Sequence, residues 1–586
     1  MSDDNITNLP SQQEIEKDIK EYLAKKYGEK IKIVGIHGQP EFEKLQTGDT
    51  KVAEEKKTPH FDFHIKPEEL CEYLNEYVIR QDEAKAILST KICTHFNRIR
   101  NSLDHPMQAK RTVGQIKNNV LLIGPTGVGK TFLIKLIAKH LGVPFIKGDA
   151  TKFSETGYVG GDVEDLVRDL VREAGDNLES AQYGIIYVDE IDKIAAAPNL
   201  LGADVSRSGV QRALLKPMEE TEVDLKVPHD PVSQIEAIEH YRATGKRQRQ
   251  MVNTKNILFI MSGAFFELDE IVKKRLQKQT IGFEADLSSK KISGRYLKHV
   301  KADDLIQYGF ESEFIGRLPV IACLDELSVK DLYSILQNPN NSVVVGKKLD
   351  FLAYDIRIQF DNEALMEIAE KAVNEHTGAR GLVSVMERTL LPFEKKLPST
   401  DIKYLTIHQK LIKDPSAELN KLLSDPEHRS FHEDQCHILA QEEHDRLQEL
   451  IISKRQKYLH DNEVKITPTM LSLMAKQCQD QILDISDICE IFVDIISHIK
   501  ECEKNISAKC GLHVTFSEDA IDRILARHPL KQSAINSLCE TFATTFEYGF
   551  GLLQQKKGID QVVIPASGVD NPELYINDLV RNSFRE

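Results

Sequence analysis

Apolar and polar residues alternate with two different periods along this chain, one typical of strands and the other typical of helices. From about Asn118, strand-like apolar runs alternate with helical runs. In chain order these are "NNVLLIG", a helix from Lys130 to His140, "VPFIKGD", a helix from Val163 to Ala174, "GIIYVDE" and later "NILFIMSG". This alternation predicts an α/β fold with a mostly parallel sheet covered by helices on both faces. After about Leu324 the pattern is mainly helical.

Two segments ahead of this region differ from it in composition. Residues 12–27 place apolar side chains at helical spacing, and the strand-like run "KIKIVGI" follows them, so we expect a small N-terminal unit at residues 1–37. Residues 38–62 are charged and lack apolar periodicity, which is typical of a linker. The main domain is therefore expected to begin directly after this linker.

The helical part contains a weak internal repeat. Residues 356–372, 464–477 and 513–527 each run from a short strand through a polar cap into an amphipathic helix. A further amphipathic helix is predicted at residues 436–461. The three units are either unrelated or degenerate copies of one small domain, and the residues leave both interpretations open.

Composition narrows the class of protein. The 586 residues are enough for about three or four domains, and 41% of them are hydrophobic and 28% charged, as in an ordinary globular protein. No apolar run approaches the roughly 20 residues of a membrane-spanning helix, and the polar N-terminus lacks the apolar core of a secretion signal. Nine cysteines without a C-x-x-C pair indicate free thiols. We expect a cytoplasmic protein without a membrane partner.

A glycine-rich segment, "GPTGVGKT", lies between the strand "NVLLI" and a predicted helix. It fits the pattern G-x-x-x-x-G-K-[ST], in which backbone amides wrap the phosphates of a nucleotide. Lys130 supplies a cation to the β and γ phosphates, and Thr131 offers a hydroxyl to Mg²⁺. The predicted ATP-binding residues of this loop are Gly124, Pro125, Thr126, Gly127, Val128, Gly129, Lys130 and Thr131.

Acidic residues follow a second apolar strand in "IIYVDEID". The strand delivers Asp189 and Glu190 at its carboxyl end, the edge of a parallel sheet at which ligands bind. Asp189 is expected to hold Mg²⁺ through water, and Glu190 to polarise the attacking water. With the phosphate loop, these residues predict an ATPase that uses ATP and Mg²⁺.

Seven segments resemble, in their order, the AAA+ unfoldases of the ClpX and HslU group. The resemblance covers about residues 65–400, and "IGF" at residues 281–283 favours the ClpX-like side. It implies a large ATPase domain at 63–325 and a helical (α+β) small domain at 326–400. The segments are "YVIRQ" (77–81), "GPTGVGKT", "GYVG", "YVDEIDKI", "SGVQRALLK" (208–216), "EFIGRLPV" (313–320) and "TGARGL" (377–382).

The resemblance also implies individual roles. Val78 and Ile79 would line the adenine pocket, although both suit an ordinary core equally well. Arg317 would be an arginine finger that reaches a neighbouring subunit, which implies a homo-hexameric ring, and Arg380 would contact the nucleotide of its own subunit. Ser262, at the end of "NILFIM", is a candidate sensor of the γ-phosphate or only a cap.

Two loops are implied to handle partners. Tyr158 and Val159, between glycines in "SETGYVGGD", would grip a polypeptide in the central pore, unless Tyr158 folds onto its own domain. Ile281, Gly282 and Phe283 would dock onto a ClpP-type peptidase ring, unless they are a local packing anchor.

The chain departs from the group in several places. ClpX begins with a zinc-binding domain built on four cysteines, but no cysteine precedes Cys71 in this chain, so no zinc is expected. Arg80 stands where the group has glycine, which leaves the turn there open. The loop containing "HDPVSQIEAIEHYRATGKRQRQ" is lengthened. Residues 401–586 form a mainly helical C-terminal extension, expected to pack on the small domain or to present a surface to an adaptor.

The resulting hypothesis is an ATP-dependent protein unfoldase that threads polypeptides through a hexameric pore and delivers them to a ClpP-type peptidase. No G-x-S-x-G or H-E-x-x-H motif is present, so proteolysis would come from that partner. One alternative is a non-degrading remodeller or nucleotide-dependent scaffold. Another is a nucleic-acid motor, but the net charge of −15 and the lack of a basic domain argue against a nucleic-acid partner.

Overall fold

The described part of the chain begins after the predicted N-terminal unit and linker. A computed structural model describes residues 64–105, 117–154, 161–196, 205–225, 250–279, 296–340, 342–527, 532–554 and 561–583. We keep the names large domain, small domain and extension for the predicted ranges 63–325, 326–400 and 401–586. Within the described residues, no helix is both long and apolar enough to cross a membrane. All nine cysteines are free thiols, as predicted.

The large domain alternates strands and helices. Short 3₁₀ turns lie at Ala150–Lys152, Ile191–Ile194 and Leu297–His299. The elements are α1 (Pro67–Tyr77), α2 (Asp82–Asp104), β1 (Val120–Ile123), α3 (Lys130–Leu141), β2 (Phe145–Asp149), α4 (Asp165–Glu173), α5 (Leu178–Ala181), β3 (Ile185–Asp189), α6 (Val205–Met218), β4 (Glu222–Asp224), β5 (Met251–Asn253), β6 (Leu258–Gly263), α7 (Leu268–Gln279), α8 (Ala302–Tyr308), α9 (Ser312–Gly316) and β7 (Val320–Cys323).

Five of these strands form the predicted parallel sheet, in the order β2-β3-β6-β1-β7. Every neighbouring pair in it is parallel, so the prediction of the fold class is confirmed. The helix predicted from Lys130 to His140 ends one residue later, and the one predicted from Val163 to Ala174 is shorter at both ends. Because the strands are parallel, the loops after β1, β3 and β6 emerge at one edge of the sheet.

The sheet is buried on both faces, because alternate residues of each strand enter different apolar clusters. In β1, Val120 and Leu122 join one cluster, whereas Leu121 and Ile123 join the other. Helices α4 and α6 cover the second cluster. The first cluster continues through the small domain to Leu422, so that one core joins the large domain, the small domain and the start of the extension.

The small domain and the extension supply the remaining elements. A 3₁₀ turn lies at Leu397–Ser399. The small domain holds α10 (Val329–Gln337), α11 (Ser342–Leu352), β8 (Arg357–Phe360), α12 (Asn362–Val373) and α13 (Ala379–Lys396). The extension holds β9 (Tyr404–Ile407), α14 (Gln409–Lys413), α15 (Pro415–Ser424), α16 (Pro426–Asp461), α17 (Pro468–Gln481), α18 (Ile485–Cys510), β10 (His513–Phe516), α19 (Glu518–Arg527), α20 (Gln532–Gln554), β11 (Gln561–Ile564), α21 (Ala566–Asp570) and α22 (Pro572–Ser583).

Helix α16 is longer than the helix predicted at 436–461. It begins at Pro426, because the side chain of Asp425 accepts a hydrogen bond from the amide of Glu427 and proline suits the first turn. At 36 residues it is about 54 Å long. It lies between the small domain and the last part of the extension.

The last part of the extension repeats the element order of the small domain and the start of the extension taken together. The series α10-α11-β8-α12-α13-β9-α14-α15 has the same order as α17-α18-β10-α19-α20-β11-α21-α22, and both strand pairs are parallel. Strands predicted within 356–372 and 513–527 are present as β8 and β10. The prediction of a strand at the start of 464–477 is wrong. Residues 464–467 form no strand and lead into α17, which Thr467 caps, whereas β10 pairs with β11.

Candidate nucleotide site

One cavity lies between the large and the small domain, at the sheet edge where the loops after β1 and β3 emerge. Its volume is about 510 Å³, which is within the size range of small-molecule sites. The predicted residues that line it are Val78, Ile79, Thr126, Gly127, Val128, Gly129, Lys130, Thr131, Asp189, Glu190 and Arg380.

A second cavity, of about 640 Å³, lies between the small domain and the extension.

The phosphate loop touches the small domain directly. Gly127 has a φ of +74°, and a Cβ atom there would lie 1.9 Å from the carbonyl oxygen of Thr377. The carbonyl of Gly127 in turn accepts a hydrogen bond from the amide of Ala379, at 2.9 Å. Only glycine allows this approach, because any side chain would meet the backbone of the "TGARGL" segment.

Lys130 is held inside the loop that it belongs to. Its Nζ donates hydrogen bonds to the carbonyl oxygens of Gly124 at 2.6 Å and Pro125 at 2.8 Å. Burial lowers the pKa of Lys130 to about 8, although the nearby Asp189 and Asp192 oppose this change. The phosphates of a nucleotide would reverse the effect, since a close anion stabilises the charged ammonium.

A hydrogen-bond network joins the predicted magnesium ligands. The hydroxyl of Thr131 lies 3.5 Å from Asp189 Oδ2, and Ser262 Oγ donates to Asp189 Oδ1 at 2.6 Å. Lys147 Nζ lies 2.8 Å from Asp189 Oδ2. Burial alone would raise the pKa of Asp189, but the hydrogen bonds from Lys147 and Ser262 outweigh it and lower the pKa below its ordinary value. Asp189 is thus kept as a carboxylate, the form that binds a divalent cation.

Glu190 faces the cavity from a strained position. Its φ is +57°, in the left-handed region that residues with a side chain adopt rarely. Strain of about 1–3 kcal/mol at such a residue persists only where the surrounding structure imposes it. The predicted role of Glu190 in polarising water remains a prediction, and its place in the cavity is compatible with it.

Val78 and Ile79 line the cavity from the segment that follows α1. The next residue, Arg80, keeps a left-handed φ of +62°, the conformation that glycine favours. Its guanidinium donates a hydrogen bond to Asp331 of the small domain at 2.6 Å. The arginine therefore adopts the backbone conformation that glycine favours, and its side chain pairs with the small domain.

The two predicted arginines occupy different places. Arg380 lines the cavity from the first turn of α13, as its predicted role requires. Arg317 ends α9, is not among the cavity residues and pairs with Glu219. Its side chain is 44% exposed, so it is accessible to another molecule. The finger role depends on a neighbouring subunit and stays a prediction.

Several predicted residues lie outside the described residues. They are the pore-loop pair Tyr158 and Val159, the docking residues Ile281, Gly282 and Phe283, and the lengthened loop that contains the basic run at 245–250, apart from its last residue.

Four residues that shape the site were not predicted from the sequence. Lys147 and Tyr187 were not predicted, although Lys147 pairs with Asp189 and Tyr187 shares a hydrogen bond of 2.6 Å with Ser262. Strand parity could have found Tyr187, which lies two residues before Asp189 on the same face, whereas Lys147 is brought beside Tyr187 by the pairing of β2 with β3. Asn338 and Asn340 also line the cavity, and only the folded small domain brings them there.

Four potential metal ligands meet away from the nucleotide cavity, around the start of α16. Side-chain atoms of His408, Glu418, His428 and His432 all lie within 4.8 Å of one another. The Nδ1 atoms of His408 and His432 accept hydrogen bonds from backbone amides at 3.3 and 3.1 Å, which leaves the ring protons on Nε2. Because ligation through Nε2 needs the opposite tautomer, this geometry suits a hydrogen-bonded cluster centred on Glu418. The expectation of no zinc stays an untested prediction.

Comparisons with known proteins agree with the fold and the cavity. A family model described as the AAA domain (Cdc48 subfamily) matches residues 115–321, and one described as the C-terminal, D2-small domain of ClpB protein matches residues 327–396. Among curated relatives, the "ATP-dependent Clp protease ATP-binding subunit ClpX" of Treponema denticola is 39% identical over 358 residues, which are 60% of this chain and 82% of the relative. Proteins of the same description from Borrelia duttonii and Borrelia recurrentis are 39% identical over 343 residues, 57% of this chain and 75% of each relative.

The region of similarity includes the phosphate loop, the acidic strand end and the small domain that together form the cavity. The AAA domain and the relatives also identify the activity as ATP hydrolysis. The chain therefore belongs to the ClpX family of AAA+ ATPases.

Proposed function

We propose that the chain is an ATP-driven protein unfoldase that works in the cytoplasm as a homo-hexameric ring. The observation that carries the proposal is that Lys130, Glu190 and Arg380 line one cavity, although they come from both domains. A nucleotide bound there would touch the large and the small domain at once. Its hydrolysis would change the contacts on both sides, which is what a motor needs to convert chemistry into movement.

The site residues divide the chemistry between them. The loop amides and Lys130 bind the phosphates, Thr131 and Asp189 would hold Mg²⁺, and Glu190 orients the attacking water. Mg²⁺, when bound, neutralises charge that develops on the phosphate oxygens. Arg317 is proposed to complete the site of the neighbouring subunit. An arginine supplied in this way stabilises the transition state of phosphoryl transfer.

Contacts between the domains support the coupling of hydrolysis to movement. Gly127 in the phosphate loop bonds to Ala379, the residue next to Arg380. Arg80, beside the adenine-side residues, bonds to Asp331 of the small domain. A shift of the phosphate loop would therefore be felt by the small domain at its closest contact.

The work is proposed to be done by the pore loop. Tyr158 and Val159 would contact a polypeptide in the centre of the ring through bulk and apolar surface, without regard to its sequence. Ile281, Gly282 and Phe283 are proposed to dock onto a ClpP-type peptidase ring. The curated relatives are described as ATP-binding subunits of an ATP-dependent Clp protease, which supports a peptidase as the partner.

The proposal is tested with a stably folded fluorescent protein that carries an unstructured tag. Incubation with the full chain and ATP is expected to abolish the fluorescence, and the Glu190→Gln variant is expected to bind ATP and leave the fluorescence intact. A ring that hydrolyses ATP while the tagged protein stays folded would contradict the proposal and favour a scaffold.

A further inference from the structure

The extension contacts the large domain directly beside the nucleotide cavity. Arg455, in the second half of α16, donates a hydrogen bond from Nη2 to Glu76 Oε2 at 2.5 Å. The same atom contacts Ser486 at the start of α18. Glu76 is the last residue but one of α1, and the residues that follow it, Tyr77 to Ile79, line the cavity.

Arg455 and Glu76 form a largely buried pair. Their side chains are 19% and 17% exposed. Burial raises the pKa of Glu76, and the charge of Arg455 opposes this rise. Removal of one partner would leave the other charge poorly solvated, which is costly at such a site. The pair therefore holds the end of α1 in one position relative to the extension.

A second contact reaches the cavity wall itself. The hydroxyl of Tyr77 lies 3.4 Å from Ser486 Oγ, and Tyr77 is among the residues that line the cavity. Helix α1 also packs on the helix that follows the phosphate loop, since the rings of Tyr73 and His140 stack with their centroids 4.0 Å apart. A displaced α1 would thus move the cavity wall at Tyr77 and break the packing of α1 on α3.

The first half of α16 is anchored on the small domain. Lys348 of α11 pairs with Glu443 at 2.7 Å, and Gln359 of β8 donates to the same carboxylate at 2.9 Å. The backbone of β9, a strand that pairs with β8 of the small domain, adds a hydrogen bond from Thr406 to the ring of His432, at 3.1 Å. One continuous helix therefore connects the small domain with the end of α1.

The small domain meets the same residue of α1 from the cavity side. Asn338, which lines the cavity, donates from its side chain to the carbonyl oxygen of Glu76 at 2.8 Å. Glu76 thus receives one hydrogen bond from the small domain and one from the extension. Both contacts act on the segment that forms the adenine side of the cavity.

We propose that the extension is a positioning element for nucleotide binding, with Arg455 as its principal positioning residue. The inference rests on nucleotide binding in this cavity, which the proposed function also requires. By bridging the small domain and α1, the extension fixes the segment from Tyr77 to Ile79 in the conformation that accepts the adenine. Loss of the bridge is expected to weaken nucleotide binding more than it slows the chemical step, because Arg455 contacts Glu76 and Ser486 and none of the catalytic groups.

The test compares ADP affinity and the kinetics of ATP hydrolysis in three full-length variants. Arg455→Met removes the bridge, and Glu76→Gln removes its partner's charge. Lys457→Met is the matched control, because it removes a positive charge from an exposed position on the same helix. We expect Arg455→Met and Glu76→Gln to weaken ADP binding and raise KM by at least about fivefold, with kcat within about twofold of the original, and Lys457→Met to change neither.

Two further measurements separate positioning from a general loss of structure. The double variant should bind ADP no more weakly than the single variant with the lower ADP affinity, because the two side chains act as one pair. Melting temperatures without nucleotide are measured for every variant. Unchanged ADP affinity in Arg455→Met, or an affinity that falls only in proportion to the melting temperature, would overturn the inference. Either result would leave the unfolding test of the proposed function unaffected.

Discussion

The amide of Ala379 donates a hydrogen bond to the carbonyl of Gly127 at 2.9 Å, and this bond joins the phosphate loop to the helix that carries Arg380. The two backbones approach so closely that a Cβ atom on Gly127 would lie 1.9 Å from the carbonyl oxygen of Thr377. The nucleotide cavity is therefore bounded on two sides by domains that touch at the phosphate loop.

Substitution of Gly127 should separate the two domains at the phosphate loop. Gly127→Ala is expected to weaken ADP binding by more than about tenfold, because the new methyl group collides with the backbone of the small domain. Gly142→Ala is the control, since its φ is also positive, at +66°, but the space around it is open. It should cost about 1–2 kcal/mol of stability and leave ADP affinity unchanged. Equal ADP affinities in the two variants would contradict the role of the contact.

Removal of the cavity arginine should lower nucleotide affinity specifically. Arg380→Met is expected to weaken ADP binding by about tenfold, because it removes a cation from the small-domain wall. Arg388→Met on the same helix is the control, as Arg388 is 69% exposed and pairs with Glu375. Isothermal titration measures both. Similar losses in the two variants would show that charge on the helix, and not the position of Arg380, sets the affinity.

Ser262 should tune the carboxylate of Asp189. Ser262→Ala removes a hydrogen bond of 2.6 Å that lowers the pKa of Asp189, so this pKa should rise. Because the ionised form binds Mg²⁺, ATP hydrolysis should need more Mg²⁺ and its acidic limb should move to higher pH. Ser89→Ala is the control, since the Ser89 hydroxyl is also buried but has no hydrogen-bond partner. An unchanged Mg²⁺ requirement in Ser262→Ala would exclude this role.

The cluster around Glu418 should make the fold sensitive to acid. Burial lowers the pKa of His432 to about 4, and it also lowers the pKa of His408. Burial would raise the pKa of Glu418, but the hydrogen bond from His428 and the neighbouring charges lower it. Each of these groups binds protons more readily when unfolded, so the free energy of unfolding should fall as the pH drops from about 7 towards 4.

Two charged neighbours also act on the cluster. Lys421 lowers the pKa of Glu418, and Asp361 raises the pKa of His408. Thermal melting across this pH range measures the effect. His432→Asn keeps an acceptor for the amide of Thr406 and should flatten the pH dependence. His460→Asn, at a position 89% exposed, should leave it unchanged. Identical slopes in the original protein and His432→Asn would contradict the assignment.

The features that could be predicted from the sequence are those that a local pattern of residues determines. The parallel sheet follows from apolar strands that alternate with helices, and the positions of Lys130, Thr131, Asp189 and Glu190 follow from loops at the carboxyl ends of those strands. Lys130 and Glu190 accordingly share one cavity in the structure. These residues were within reach because each lies at the boundary of an element that the pattern already defines.

Contacts between distant segments could not be predicted from local sequence patterns. Arg455 and Glu76 are separated by 379 positions, and nothing in their local sequences marks them as a pair. The strand predicted at residues 464–467 is absent for a related reason. A strand needs a partner, and β10 in this part of the chain pairs with β11 instead. The repeat of the small-domain order was visible in the sequence only as a weak similarity, since it resides in the order of elements.

The most direct test of the account is the number of tagged protein molecules unfolded per ATP hydrolysed, measured for the original chain and for Tyr158→Ala. Threading predicts that Tyr158→Ala hydrolyses ATP at a rate within about twofold of the original and unfolds almost no substrate, because only the grip on the polypeptide is lost. Equal loss of hydrolysis and unfolding, or unfolding that persists in Tyr158→Ala, would contradict the claim that ATP turnover in this cavity pulls a polypeptide through the ring.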